Sequence, residues 1–416
     1  MKICIVCPRL CHGGAERVAV TLANGFIHRG HQVVFLTDLY EEQTYQLDEA
    51  VLVKNLVAVS NPKYKKWLSA IRIVRSVIKK ERPDVMIGIM SLCSIVAKLA
   101  AMGTDVPVIA TEHGSYERPD SAPLTKWEKF YKFYIGKIFN CVTVLTDADR
   151  IKIGKQLKNV VVMPNPLAIE PIKMSRQREN TLLAAGRVDD WHYKGLDVLI
   201  RAWGKIVNSE ELIVNRDGWK LQIAGVWRNP RTRVYLDGIA EECGVLDKIE
   251  YLGFVDDMKT LYQESSIFVL SSRYEGFGLV LIEAMSQGCA CIACDYKGRQ
   301  REILRSLTPN PSPKGEGELP TEGSGAAEPE TRNSKLETRN SETETRNSHV
   351  EVCETGILCE PDDVDALAEA IGRMIVDKDY RESVRHNAVE RSKYYSIENT
   401  IERWEKLLFI RLNVKH

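Results

Sequence analysis

The sequence lacks an excess of charge of either sign. Lys and Arg together number 57, and Asp and Glu also number 57, so the formal net charge is zero. A protein that binds nucleic acid mainly through phosphate attraction carries a clear excess of positive charge. We therefore expect no nucleic-acid partner.

Long hydrophobic runs are missing too. No stretch reaches the roughly 18 consecutive apolar residues that indicate a membrane-spanning helix. The opening residues, MKICIVCPRLCHGG, have too short an apolar run for a signal peptide. With 11 cysteines and no secretory signal, the sequence indicates a reducing compartment rather than a disulfide framework. We expect a cytoplasmic protein.

The sequence also gives little sign of a metal site. Two Cys-x-x-Cys pairs, Cys4/Cys7 and Cys291/Cys294, lie in strand-like runs. Residues three apart on a strand point to opposite faces, so neither pair is expected to share an ion. We assign no Asp-x-Asp motif to a divalent ion, and the adjacent pair Asp189-Asp190 is more typical of a turn or a helix cap. We predict no cofactor and no metal.

What the sequence does contain is a regular alternation of apolar runs and amphipathic stretches. The runs KICIVCP, DVMIGIM and CVTVLT belong to the first half, and TLLAAGR, SIFVLSS and CACIACD to the second. At 416 residues the chain is also longer than most single cores allow. We predict an α/β fold of two Rossmann-like, doubly wound parallel-sheet domains that face each other across a cleft.

The predicted first domain covers residues 1–167 and the second covers 168–394, with the proline-containing segment PNPLAIEP at the junction. Within the second domain, residues 306–348 are rich in Pro, Gly, Ser and charge, and repeat ETRNS every seven residues. Because no apolar pair recurs with that period, a coiled coil is disfavoured. The segment is predicted to be a disordered, low-complexity insertion.

The segment RYEGFGLVLIE, residues 273–283, indicates a binding site. It predicts a glycine-rich loop followed by a helix that begins near Gly278. The first amides of such a helix are unpaired and partially positive, which suits a phosphate or diphosphate. Glu283 would then accept hydrogen bonds from a ribose, and Glu275 from a sugar at the other end of the diphosphate. The alternative is that both are solvated acids at a helix start, where negative charge is favourable anyway.

A second loop carries two cations. Arg187 and Lys194 follow the apolar run TLLAAG and precede the helical stretch GLDVLIRAW. Cations beyond the carboxyl end of a strand can neutralise a diphosphate through strong, charge-assisted hydrogen bonds. Cations near a helix start are otherwise unfavourable. The functional interpretation is therefore preferred for this pair.

In order and spacing, these motifs resemble those of the retaining glycosyltransferases of family 4, which have the two-domain GT-B fold. The resemblance spans nearly the whole chain outside the insertion. It is carried by Gly13-Gly14-Ala15-Glu16, Glu112-His113-Gly114, Pro164-Asn165-Pro166, Gly186-Arg187, Lys194-Gly195, Tyr251 to Val255, and Glu275 and Glu283 with seven residues between them.

The resemblance implies a role for each matching residue. Arg187 and Lys194 would bind the donor diphosphate, and Glu275 would hold hydroxyls of the donor sugar. The remaining residues with implied substrate contacts are Gly14 at the glycine turn, His113 near the reacting carbon, Phe254 near the base, the backbone of Gly278, Leu279 and Val280 at the distal phosphate, and Glu283 at the ribose. A structural role for His113 at the end of a strand is the alternative to its catalytic one.

The implied reaction moves a hexose or N-acetylhexosamine, with retention, from a nucleotide sugar that is most often UDP-linked. The expected acceptor is a glycan or lipid-linked glycan in polysaccharide or lipopolysaccharide biosynthesis. The alternatives are a nucleotide-sugar epimerase of the same fold and a binding protein whose insertion has impaired turnover. A dinucleotide dehydrogenase is disfavoured because RLCHGGAE lacks the Gly-x-Gly-x-x-Gly spacing.

The chain departs from the family pattern in two places. Gly225-Val-Trp stands where relatives often have Gly-x-Gly, which puts the base contacts in doubt. GRQREIL, residues 298–304, replaces the usual glycine and proline before a Glu-Ile pair.

Three further segments concern the acceptor side. The basic aromatic stretches 64–80 and 126–139 predict amphipathic helices. In the second, the lysines are predicted to form one sector and most of Trp127, Phe130, Tyr131, Tyr134 and Ile138 another. Such helices can lie on an anionic inner-membrane surface as a peripheral contact; for each helix alone, packing on the sheet with solvated lysines is preferred. The resemblance implies that the C-terminal helix, residues 395–416, crosses back to the first domain.

Overall fold

The computed structural model describes residues 1–11, 13–40, 43–56, 66–120, 122–154, 156–173, 178–209, 218–304 and 349–411. These residues form two seven-stranded sheets, one in each half of the chain, with helices on both faces. The predicted α/β class is confirmed. The predicted insertion at 306–348 lies outside the described residues.

The first sheet is entirely parallel, with the strand order β3-β2-β1-β4-β5-β6-β7. Its central strands are buried on both faces, which explains their continuous apolar sequences. The strands are β1 (Lys2–Val6), β2 (Gln32–Thr37), β3 (Leu52–Asn55), β4 (Val85–Ile89), β5 (Val108–Thr111), β6 (Cys141–Val144) and β7 (Val160–Val162).

In the described part of this half, five helices connect the strands: α1 (Gly14–His28), α2 (Lys66–Glu81), α3 (Met90–Ala101), α4 (Lys126–Phe133) and α5 (Asp147–Ile153). Separate apolar clusters fill the two faces of the sheet. Cys4 packs in one cluster and Cys7 in the other, as the alternation of side chains along a strand requires.

The second sheet has the order β10-β9-β8-β11-β12-β14-β13 and is parallel except at one edge. There β13 pairs antiparallel with β14 in a hairpin that the sequence did not predict. The strands are β8 (Glu179–Ala185), β9 (Lys220–Ala224), β10 (Ile249–Gly253), β11 (Ser265–Leu270), β12 (Ala290–Cys294), β13 (Val350–Cys353) and β14 (Gly356–Cys359).

Outside the undescribed ranges 210–217 and 305–348, eight helices accompany the second sheet: α6 (Trp191–Lys194), α7 (Leu196–Val207), α8 (Pro230–Glu242), α9 (Met258–Glu264), α10 (Leu279–Ser286), α11 (Arg299–Leu304), α12 (Val364–Val376) and α13 (Lys378–Ser392). Trp203 of α7 is fully buried in the largest cluster of this half. Cys291 and Cys294 again lie in different clusters.

The last helix, α14 (Ile397–Lys406), packs against α1 of the first half and continues into a π-helical turn at Leu407–Arg411. Trp404 is buried and meets Phe26 edge to face, with 6.3 Å between the ring centroids. Glu405 pairs with Arg29 and His31. The end of the chain therefore contacts the half in which it begins, and residues 412–416 of the predicted helix lie outside the described part.

The segment 126–139 differs from its prediction. The α-helix ends at Phe133 and is followed by a 3-10 turn at Ile135–Ile138. Trp127, Phe130, Tyr134 and Ile138 are exposed, whereas Tyr131 and Lys132 are buried. Most of the predicted apolar sector therefore lies at the surface, and the preferred alternative, in which this helix packs on the sheet with solvated lysines, is wrong. Lys132 is not solvated because its ammonium has a buried partner, Glu112, at 2.5 Å.

The other predicted basic helix, 64–80, corresponds to α2, and residues 64 and 65 lie outside the described part. Among the described helices, none combines the length and apolar character needed to cross a bilayer.

Candidate active site

The strand order of the second sheet reverses between β8 and β11, which are neighbours. Ligands of open α/β sheets bind beyond the carboxyl ends of the strands at such a reversal. Arg187 follows β8, and Glu275 follows β11. The fold therefore brings the two predicted loops to the same edge of the sheet.

The amino end of α10 lies on this edge. Gly278 precedes the helix with φ 98°, in the left-handed region that favours glycine. Leu279 and Val280 begin the helix and are partly exposed, while Leu281 is fully buried and anchors it. The first amides of a helix have no partner within it. This end can therefore donate hydrogen bonds to an anion.

Lys194 and Glu275 contact each other beside this helix end. The ammonium donates to Oε1 of Glu275 at 2.5 Å, and Ser272 Oγ donates to the same oxygen at 2.9 Å. A Cβ atom added to Gly186 would lie 3.2 Å from Cε of Lys194, so the side chain of Lys194 packs directly on the backbone of Gly186. The two predicted side chains, Lys194 and Glu275, therefore form an ion pair.

The end of α6, which carries Lys194, is fixed to the loop that carries Glu275. Gly195, with φ 61°, lies so close to the next loop that a Cβ atom would be 2.0 Å from the carbonyl oxygen of Ser271. Ser271 Oγ donates to the carbonyl of Lys194 at 2.8 Å. Arg273 donates to both carboxylate oxygens of Asp197, at 2.7 and 2.8 Å. This bidentate pair was not predicted from the sequence, although each residue lies within three positions of a predicted site residue.

Arg187 occupies a different position from Lys194. Its side chain is 80% exposed and pairs with Asp190 at 2.8 Å. Exposed pairs of this kind contribute little stability, so the guanidinium can exchange this partner for a ligand at small cost. Neighbouring Asp189 accepts hydrogen bonds from the backbone amides of Arg228 and Asn229. The amide of Arg228 in particular lowers the pKa of Asp189.

Glu283 is buried in the middle of α10. The hydroxyl of Tyr262 donates to its Oε2 at 3.3 Å, and Arg17 of α1 forms an ion pair with its Oε1. Arg17 and Tyr262 were not among the predicted site residues. Arg17 directly follows the Gly-Gly-Ala-Glu motif, which is a signal that could have found it. No comparable signal marks Tyr262.

The two halves of the chain meet at this point. A Cβ atom on Gly14 would lie 3.1 Å from Cδ1 of Leu279, so the starts of α1 and α10 face each other. A Cβ atom on Gly276 would lie 2.8 Å from the carbonyl oxygen of His113. The first domain's His113 loop therefore approaches the loop that contains Glu275.

Both ring nitrogens of His113 have protein partners. Nε2 lies 3.1 Å from Thr111 Oγ1, and Nδ1 lies 3.2 Å from Asn165 Oδ1. Burial lowers the pKa of His113, the hydrogen bond to Asn165 opposes this effect, and the charge of Lys132 adds to it, so that the pKa is about 4. The imidazole is therefore neutral near pH 7. It joins the end of β5 to the Pro-Asn-Pro junction, as the structural alternative expected, and its sugar contact stays a prediction.

Phe254 follows β10 and is 61% exposed. On the neighbouring strand end, where the sequence departs from Gly-x-Gly, Trp227 packs edge to face on Tyr251. The guanidinium of Arg233 lies 3.9 Å from the centroid of the Tyr251 ring. An aromatic and cationic cluster therefore fills the position where the family pattern has glycine.

The chain does contain two Asp-x-Asp sequences after strands, to which the sequence analysis gave no role. In Asp147-Ala148-Asp149, which follows β6, Asp149 is buried and pairs with Arg299 at 2.8 Å. In Asp363-Val-Asp365, Asp363 caps α12. Among the described residues, no three His, Cys, Asp or Glu side chains are grouped so that they could hold a metal ion.

The similarity of this chain to known proteins identifies its family. Two family models match, Glycosyltransferase Family 4 over residues 12–170 and Glycosyl transferases group 1 over residues 168–308. An uncharacterized glycosyltransferase of Haemophilus influenzae is 23% identical over 404 residues, which cover 95% of this chain and 96% of that protein.

A second relative comes from Campylobacter jejuni. It is an alpha-1,4-N-acetyl-D-galactosaminyltransferase named for the acceptor GalNAc-alpha-(1->4)-GalNAc-alpha-(1->3)-diNAcBac-PP-undecaprenol. It is 24% identical over 417 residues, covering 98% of each chain. The crystal structure of Anabaena HepE in complex with UDP matches with a TM-score of 0.72 at 15% identity, covering 98% of this chain and 99% of that one. The two family matches together run from residue 12 to residue 308, and the chain belongs to the group 1 glycosyltransferases of the GT-B fold.

Proposed function

We propose that this glycosyltransferase moves a hexose or N-acetylhexosamine from a UDP-linked donor to a glycan or lipid-linked glycan, with retention of anomeric configuration. The observation that carries the proposal is the Lys194–Glu275 pair beside the amino end of α10. A cation, a carboxylate and unpaired helix amides meet there, and these groups match a diphosphate that bears a sugar.

The donor occupies this edge in an extended arrangement. The diphosphate lies against the amides of Leu279 and Val280, with Lys194 and Arg187 beside it. Glu283, about 7 Å along the axis of α10 at 1.5 Å per residue, accepts hydrogen bonds from the ribose. Phe254 lies near the base, and Glu275 holds sugar hydroxyls. Gly14 leaves room for the diphosphate and the acceptor because it has no side chain.

The reaction breaks the bond between the anomeric carbon and the diphosphate oxygen, and forms a bond from that carbon to the acceptor hydroxyl oxygen. The acceptor proton passes to the departing diphosphate on the same face of the sugar. The residues of the protein stabilise the negative charge that builds on the diphosphate and hold the acceptor hydroxyl on the same face of the sugar as the departing diphosphate. No protein nucleophile is assigned.

The names of two similar proteins support the choice of substrates. The Campylobacter relative is named for an undecaprenol-linked glycan acceptor and transfers an N-acetylhexosamine. The Anabaena structure holds UDP. These similarities favour a UDP-linked donor and a lipid-linked acceptor in polysaccharide biosynthesis.

A surface of the first domain favours peripheral contact with an anionic membrane. Trp127, Phe130 and Tyr134 have 55%, 49% and 62% of their surface exposed, respectively, and form a continuous row with adjacent centroids 5.9 and 6.0 Å apart. Exposed lysines flank this row at Lys126 and Lys129. Amphipathic aromatic rings beside cations suit the headgroup region of such a membrane.

The test is a transfer assay with a panel of nucleotide sugars and an undecaprenyl diphosphate-linked glycan, with the product's anomeric configuration read by NMR. We expect transfer from one UDP-linked hexose or N-acetylhexosamine with retention, and loss of transfer in Glu275→Ala with unchanged thermal unfolding. If the full chain binds UDP but transfers no sugar, and deletion of residues 306–348 restores transfer, the alternative of a binding protein impaired by its insertion would be favoured. Inversion, or full activity of Glu275→Ala, would contradict the proposal.

A further inference from the structure

A buried ion pair connects the two domains outside the donor site. Nη2 of Arg299, in α11, donates to Oδ1 of Asp149, in α5, at 2.8 Å. The two side chains are 1% and 3% exposed. Arg299 stands in the segment GRQREIL, where the sequence departs from the family pattern. The proposed function gives this pair no role.

Asp149 also binds the loop that contains His113. Its Oδ1 also accepts hydrogen bonds from the amide of Tyr116 at 2.8 Å and from Ser115 Oγ at 3.1 Å. Its Oδ2 accepts one from Thr146 Oγ1 at 3.0 Å. One carboxylate oxygen therefore bonds both to an arginine of the second domain and to the residues directly after Gly114.

A second contact from α11 reinforces the first. The carboxylate of Glu302 accepts hydrogen bonds from the amides of Asp147 and Ala148, each at 2.8 Å. These amides belong to the first turn of α5, which has no partner for them within the helix. The second domain thus caps a helix of the first domain, and this cap fixes the orientation of α5 relative to α11.

The chemistry of this interface suits contact that forms and breaks. A buried ion pair gains Coulomb energy but loses the hydration of both ions, so its net contribution is small. When the domains separate, water replaces each partner and no charge stays buried alone. When they close, the charge-assisted hydrogen bond from Nη2 of Arg299 to Oδ1 of Asp149 is directional and favours one arrangement of the two domains. The pair thus defines the closed geometry without holding it permanently.

That closed geometry matters at the reacting sugar. With Arg299 on Asp149, the carbonyl of His113 abuts Gly276, next to Glu275. A displacement of the His113 loop by about 1 Å would be expected to slow a positioned reaction by about 100-fold. The Arg299–Asp149 pair is placed to prevent such a displacement.

We propose that Arg299 is a positioning residue for transfer: through Asp149, it fixes the Glu112–Tyr116 loop of the first domain against the Glu275 loop when the cleft closes. The inference rests on the proposed function, because it assigns Arg299 to the closed state in which transfer takes place. It predicts that Arg299 affects turnover and leaves the binding of the nucleoside diphosphate unchanged, since the groups that donate hydrogen bonds to the diphosphate, from Arg187, Lys194 and the first amides of α10, lie in the second domain.

The test compares Arg299→Met with Arg301→Met. Arg301 lies in the same helix but pairs within its own domain, with Asp295 and Glu351, so it controls for loss of an arginine from α11. We expect Arg299→Met to lower kcat by about 10- to 100-fold while the Kd for UDP stays within about twofold of wild type. Arg301→Met should retain wild-type kcat, and Arg299→Lys should recover part of the loss because it keeps the charge.

A measurement that needs no substrate accompanies the kinetics. The amide of Tyr116 donates to Asp149, so hydrogen exchange at this amide should become faster in Arg299→Met and not in Arg301→Met. Equal kcat and equal exchange in the two methionine variants would overturn the inference. If wild-type protein transferred no sugar from any donor, the proposed function would fail instead, and the exchange result would still decide whether Arg299 holds the loop.

Discussion

The ammonium of Lys194 lies 2.5 Å from Oε1 of Glu275, at the edge of the sheet where β8 and β11 end. Neither side chain has more than a quarter of its surface exposed. In the proposed complex, the ammonium of Lys194 binds the diphosphate instead of Glu275. The carboxylate of Glu275 then accepts hydrogen bonds from sugar hydroxyls. Donor binding therefore exchanges one internal ion pair for two charge-assisted contacts with the ligand, which keeps the cost of exposing either charge low.

Replacing Lys194 by alanine removes the cation that faces the departing diphosphate. Loss of one preorganised donor to developing charge slows catalysis by about 100- to 1,000-fold. We expect a kcat reduction of that size for Lys194→Ala, together with weaker binding of UDP in titration calorimetry. Lys205→Ala is the matched control, because Lys205 is exposed on α7 and pairs with Asp365. Equal kinetics in the two variants would remove Lys194 from the site.

The ribose contact assigned to Glu283 is tested with a modified nucleotide. If Glu283 accepts a hydrogen bond from the 2′-hydroxyl, wild-type protein should bind UDP about tenfold more tightly than 2′-deoxy-UDP, which corresponds to about 1.4 kcal/mol. In Glu283→Ala, the two nucleotides should bind equally. An undiminished preference for UDP in the variant would show that the ribose lies elsewhere.

The pKa of His113 gives a prediction for stability against pH. Its value is about 4 in the folded protein, against an ordinary value of 6.5. Between these two values the unfolded chain binds more protons than the folded one, so the free energy of unfolding falls as the pH is lowered from about 6.5 to about 4. His113→Asn should show a smaller loss of urea-midpoint stability between pH 7 and pH 5 than wild type. Parallel losses in both proteins would refute the assignment.

The proposed mechanism neutralises the diphosphate with Arg187, Lys194 and the amino end of α10 rather than with a divalent ion. We therefore expect transfer to continue after dialysis against EDTA, at more than about half of its original rate, with no gain when Mg²⁺ or Mn²⁺ is added back. Loss of transfer in EDTA and its recovery with one of these ions would assign the charge neutralisation to a metal.

The exposed aromatic row on the first domain predicts binding to vesicles. Wild-type protein should sediment with vesicles that contain phosphatidylglycerol and much less with pure phosphatidylcholine, because the lysines need anionic headgroups. Trp127→Ser combined with Tyr134→Ser should reduce the bound fraction by about tenfold. Tyr235→Ser removes an exposed tyrosine of the second domain and should have no effect. If the wild-type protein and the variant with Trp127→Ser and Tyr134→Ser sediment equally with the anionic vesicles, membrane contact through this surface is disproved.

The fold was predictable wherever burial decides the sequence. Strands such as β4 and β12 are fully buried, so their apolar runs are visible in the sequence without any partner. The edge hairpin of β13 and β14 was not predicted, because Val350–Cys353 is only partly buried and has no continuous apolar run. The preferred packing of the 126–139 helix on the sheet with solvated lysines was wrong, because sequence periodicity does not reveal that Lys132 has a buried acid, Glu112, as its partner.

The two loops of the candidate site could be predicted from the sequence, but the contacts between residues of different domains could not. The sequence placed Lys194 and Glu275 on two loops, each after a strand. The structure shows that these strands are neighbours, puts Lys194 at the end of α6 and brings the two side chains into contact. The pairs Arg17–Glu283 and Arg299–Asp149 join residues far apart in sequence and across two domains. Such pairs depend on how the two sheets face each other, which no local pattern records.

The most direct test of the central claim is a crystal structure of the protein with UDP. We expect the diphosphate to lie within hydrogen-bond distance of the amides of Leu279 and Val280, with the ammonium of Lys194 turned from Glu275 to a phosphate oxygen and Arg187 turned from Asp190. A nucleotide bound elsewhere, with the Lys194–Glu275 pair intact and the start of α10 unoccupied, would contradict it.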